Sequence, residues 1–121
     1  IYSEVFALPE RASDAYDVHF SAPAVLHKAG VTVAISEGLE RASASGQRNL
    51  PYIAAQAAAF GLPPDAALAA ITLIPAQLHG VGDKLGSLEK GKMANVVVTD
   101  GDIFQLTTNI AGSETALDLR R

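Results

Sequence analysis

Strand, helix, strand is the order in which this chain begins, and that order admits few folds. Residues 1–8 are strand-like, with Val5, Phe6 and Leu8 near their end, and Pro9 stops any ladder because it has no N–H to donate. Beyond a polar stretch at 10–17, Ser21 is placed to cap a helix through Pro23–Ala29, with Gly30 to end it. Val31-Thr32-Val33-Ala34-Ile35-Ser36 is a β-branched run, more strand than helix. Parallel strands joined this way need a right-handed crossover and cover on both faces. A closed (β/α) barrel takes eight such units and roughly 250 residues. Here only two units can be read. Two parallel strands alone would leave edges and apolar faces open. The chain therefore reads as α/β and as part of a larger assembly. Its opening, with neither Met nor a signal-peptide pattern, reads as the interior of a longer chain.

Residues 37–49 form a long polar connection, a length uncommon in compact domains and often functional. Asn49 is placed to cap the next helix, in which Leu50, Ile53, Ala54, Ala57 and Ala58 share one stripe and Gly61 ends it. A stripe made mostly of alanine predicts close approach to a neighbour. Pro63-Pro64-Asp65 opens another helix carrying Leu68 and Ile71. Pro75 should interrupt that helix and sit in the first turn of a further short one ending at Gly80. Near residue 80 the character changes. Gly82, Gly86 and Gly91 punctuate short stretches, and Val96–Thr99 is a strand stopped by Asp100-Gly101-Asp102.

Composition removes several function classes. The 121 residues suit one small domain, 49% apolar, with a net charge of −4 and nine scattered basic residues. Nucleic-acid phosphates attract clustered Lys and Arg, so no nucleic-acid partner is expected. With no cysteine, thiolate metal sites, disulfides and Cys nucleophiles are excluded. No apolar run reaches bilayer length, so no membrane partner is expected either. Cellular location is not readable.

Gly86-Ser87-Leu88-Glu89-Lys90-Gly91-Lys92-Met93-Ala94-Asn95 followed by Val96-Val97-Val98 resembles the closing signature of amidohydrolases, with Asn95 where Asp is more usual. Its glycines permit turns with positive φ, and its valines suit a small β-sandwich. Ala67-Leu68-x-x-Ile71-Thr72-Leu73-Ile74-Pro75-Ala76 resembles a second segment of those proteins. Ile74 stands there in place of Asn, so the hydrogen bonding an amide would bring to that position is not expected in this chain. Val5–Pro9, Asp14–Asp17, Gly30–Ser36 and Asn49–Tyr52 resemble the imidazolonepropionase-like and prolidase-like branch. The resemblance implies that residues 1–75 are the last strand–helix units of a TIM-type (β/α)8 barrel. Residues 76–121 would be a linker helix and part of a composite β-sandwich. It further implies hydrolysis of C–N bonds, in amides, cyclic amides or dipeptide-like substrates, by water on a divalent metal, zinc being the expected ion. Residues 111–121 lack the closing strand and hairpin of that pattern.

In that family the metal is held by an H-x-H pair, further histidines and often a carboxylated lysine, all of which would lie upstream. An Asp normally closes strand eight, where this chain has Ser36-Glu37-Gly38. No metal ligand is therefore assigned here, and this stretch alone is expected to be inactive and to bind no catalytic metal. Glu37 is the candidate catalytic base, against the plainer reading of a solvated loop charge. Ser36, beside it, is a candidate substrate-binding residue. His19, in the connection after the first strand, can reach the site mouth, because βα loops build the active face of a barrel. Arg41 and Arg48, with Gln47, are placed to bind a substrate carboxylate. His27 and His79 have no ligand spacing and read as packing residues. The alternative is a degenerate, non-enzymatic amidohydrolase-like module with a binding or assembly role. Either way the expected partner is the rest of the barrel or a second copy.

Overall fold

The computed structural model describes residues 15–36, 47–105, 108 and 110–114. The strand read at residues 1–8 and the connection at 37–46 lie outside them. Among the described residues four helices come first: α1 (Val18–Lys28), α2 (Leu50–Ala59) behind a 3-10 turn (Gln47–Asn49), α3 (Pro64–Ile71) and α4 (Leu73–Leu78). Two strands follow, β1 (Val96–Thr99) and β2 (Ile110–Glu114), paired antiparallel with Val96 opposite Glu114 and an irregularity between Val98 and Thr99. The sequence pattern leaves residues 111–121 without a strand, yet one is present at 110–114. Ile110-Ala111-Gly112-Ser113-Glu114 carries one β-branched residue, so pairing with three valines outweighs its weak strand propensity.

α1 starts earlier than its capping pattern predicts. Asp17 is the N-cap, and Ser21 lies inside the helix, its Oγ donating back to the Asp17 carbonyl at 2.9 Å. Its hydroxyl is satisfied by the preceding turn instead of capping a new one. Pro23 sits buried within the helix and has no N–H for the His19 carbonyl. Asn49 holds the N-cap position of α2 in an αR conformation and makes no side-chain cap bond. The break expected at Pro75 falls upstream, at Thr72 (φ −126°, ψ −81°). Proline cannot bond residue i−4 and its ring crowds that carbonyl, so the helix has already ended where Pro75 would reach back to Ile71. Thr72 Oγ1 donates to the Leu68 carbonyl at 2.7 Å and steadies the break.

Three helices end in the same way. Gly30, Gly61 and Gly80 have positive φ, and each donates to a carbonyl in the last turn (His27, Ala58 and Gln77). The next residue, Val31, Leu62 or Val81, donates one residue further back, to Leu26, Ala57 or Ala76. This is the Schellman arrangement, with an apolar residue just past the stop.

The core gathers Val33, Ile35, Ile53, Ala54, Ala57, Leu62, Ala67 and Ala70. The α2 stripe read from sequence is the buried one: Ile53, Ala54 and Ala57 are inside, and Leu50 and Ala58 pack beside them. On α3 the buried face is alanine, Ala67 and Ala70, whereas Leu68 is 42% exposed. Facing alanine surfaces let α2 and α3 approach closely, and Leu62 at their joint is 1% exposed. Val31–Ile35, read from the sequence as strand, belongs to no strand among the described residues, and Ser36 makes an isolated bridge. Val33 and Ile35 are buried, and the Ile35 N–H donates to the Ala70 carbonyl at 2.9 Å, which docks the run on the end of α3. Phe20 stacks between Tyr16 (6.0 Å, edge-on) and Phe60 (5.1 Å), tying α1 to the end of α2.

Candidate functional site

The ends of these elements decide which candidates can share a site. His27, Gly30, Val31, Val33 and Leu62 line one pocket of about 260 Å³. Residues from the ends of α1 and α2 and from the Val31–Ile35 run therefore border one pocket. His19, in the first turn of α1, is half-buried, Ser36 is exposed at the end of the run docked on α3, and Arg48 is exposed before the first turn of α2. Phe20, next to His19, packs on Phe60 at the C-terminal end of α2, whereas Arg48 precedes its N-terminus, so His19 and Arg48 lie toward opposite ends of α2. Glu37 and Arg41 lie outside the described residues. Among the described residues no three His, Asp or Glu side chains come together as a metal-binding group.

His27 and His79 are both exposed, His79 at the C-cap of α4. Ile74, the position where the related pattern has Asn, lines the same pocket as His27, beside Ala66, Ala69 and Leu62. An amide among these apolar neighbours would be costly without a hydrogen-bond partner, and an apolar side chain suits the position.

The second half contributes a different construction. Ser87 Oγ donates to Glu89 Oε1 at 2.6 Å, and Lys92 Nζ donates to Ser87 Oγ at 2.6 Å and to Glu89 Oε1 at 3.2 Å. The Ser87 hydroxyl, followed by the Lys92 ammonium, holds the Glu89 carboxyl below its ordinary value. The signature's polar residues thus bond one another and close the turn between Gly86 and Met93. Sequence reasoning singles out these residues without pairing them. The signal for the pairing is their short spacing around two positive-φ glycines, Gly86 and Gly91. At Gly86 (φ +91°) an added Cβ would lie 2.8 Å from Ala76 Cβ and 2.9 Å from Leu73 Cα, so the turn is seated directly on α4. Between α3, α4 and β1 a groove of about 650 Å³ remains, lined by Leu68, Ile71, Met93, Val96 and Val97 with Ser87 at its edge.

The profile of the Amidohydrolase family matches residues 11–119. The chain belongs to the amidohydrolase family. The fold agrees: a crystal structure of an amidohydrolase from Thermotoga maritima superposes on 94% of this chain with a TM-score of 0.74 at 24% identity. Urease subunit alpha 1 of Streptomyces avermitilis is 32% identical over 62% of the chain. Amidohydrolase tasK of Hapsidospora irregularis is 46% identical over 36% of it. These alignments take in 15% of the urease subunit and 4% of tasK, and the superposition 29% of the Thermotoga chain. This amidohydrolase sequence thus corresponds to a minor part of each relative's length.

Proposed function

We propose that the chain is the C-terminal part of a hydrolase that cleaves C–N bonds with a metal-activated water, within the imidazolonepropionase-like and prolidase-like branch. The observation that carries this reading is the family match over residues 11–119. Residues 1–75 would complete a (β/α)8 barrel, and residues 76–121 would supply a linker helix and part of a composite β-sandwich. The described residues do not make up a metal site, so the divalent ion, proposed to be zinc, would be held by the rest of the parent. When bound it would supply a water of lowered pKa. Glu37 is proposed as the base beside that water. Ser36, His19, Arg41 and Arg48 would border a small or dipeptide-like substrate, the arginines facing its carboxylate. Support for Ser36 and Glu37 comes from their place in the sequence, directly after Val31–Ile35, where the family closes strand eight.

Comparing Glu37→Gln with Glu40→Gln in the full-length protein tests this. Turnover should fall by at least tenfold in the first and stay within twofold in the second. Equal, small losses would return Glu37 to the loop charges. A second reading has one observation in its favour: Ser36-Glu37 stands where the family closes strand eight with Asp. In that case the protein is a non-enzymatic module, and a parent without an H-x-H pair near its first strand would decide for it. For the 121-residue chain alone we further propose no stoichiometric zinc, and assembly with the rest of its barrel or a second copy. Metal analysis giving one tightly held equivalent, or a monodisperse dilute monomer with a cooperative thermal transition, would overturn these two statements respectively.

A further inference from the structure

We draw no further inference here: the strongest candidate, the apolar groove between α3, α4 and β1 lined by Leu68, Ile71, Met93, Val96 and Val97, carries nothing because no feature of the structure shows what covers it.

Discussion

The helical half and the β half of this chain are held by different physics. In the helices, stability comes from burial: Ile53, Ala54, Leu62, Ala67 and Ala70 are each 2% exposed or less. In the β half no described side chain is buried, and Leu88 is 80% exposed, Met93 51%, Val97 and Val98 52% each and Ile110 67%. Shape there is set by turn chemistry instead. Ser87, Glu89 and Lys92 close one loop. In the next, the Asp102 carboxylate accepts from the Phe104 N–H, and its carbonyl accepts from Thr108 Oγ1. Local hydrogen bonds can fix a loop while contributing little net stability. The β half is thus specified in form before it is stabilised, and the helical half is stabilised by its own packing.

The sharpest way to break this contrast is to cut the core. Leu62→Ala in the full-length protein should cost about 2–5 kcal/mol, read by denaturant unfolding. A loss under about 1 kcal/mol would mean that the helical half is not the stabilising one. Next comes the seam. Gly86→Ala places a Cβ against α4 at positive φ and should cost about 2–4 kcal/mol from strain and overpacking together. It should also loosen the β half more than α2 in hydrogen exchange. Uniform loosening would show one cooperative unit, not two.

Smaller effects test the β half directly. Leu88→Ser and Val98→Thr should each change the unfolding free energy by less than about 0.5 kcal/mol, as for exposed positions generally. A cost above about 2 kcal/mol in the full-length protein would reveal that other chain covers this face there, and would sharpen the contrast into one of assembly. Smallest is the acid response. Glu89 titrates below its ordinary value of 4.5, so the stability it contributes is present above that value. That contribution is lost as pH falls through the depressed one. Unfolding curves of the native protein and Glu89→Gln should therefore run parallel near neutrality and converge below pH 4.5. Parallel curves throughout acid would remove the network from the balance of forces.

Legibility follows the same division. The α2 stripe, the glycine stops and the Val96–Thr99 strand are readable because each depends on local periodicity or on a backbone angle few residues adopt. The start of α1 is misplaced by sequence because Ser21 is as capable of back-bonding inside a helix as of capping one. On α3 the sequence singles out Leu68 and Ile71, because hydrophobicity ranks them above alanine. Close helix packing reverses that ranking, since only Ala67 and Ala70 fit against α2. β2 escapes detection because its strand character lies in its partner. At the candidate site the types Ser36, His19 and Arg48 are legible. Their relative placement is not, because it depends on how α1 meets the end of α2 through Phe20 and Phe60.

The repeated glycine stop has a consequence for which sequence changes this amidohydrolase chain can absorb. α2 is bounded by the turn at Gln47–Asn49 and by Gly61, which delivers Leu62 into the joint with α3. One residue inserted between them would rotate everything beyond it by about 100°, given 3.6 residues per turn. Either the Ile53–Ala54–Ala57 stripe or Leu62 would then leave the core. The helix acts as a phase-locked spacer: its length is set by its stop and not by its propensity. Insertions and deletions should accumulate in the connections and be rare within α2, even beside its exposed positions such as Tyr52 and Ala59.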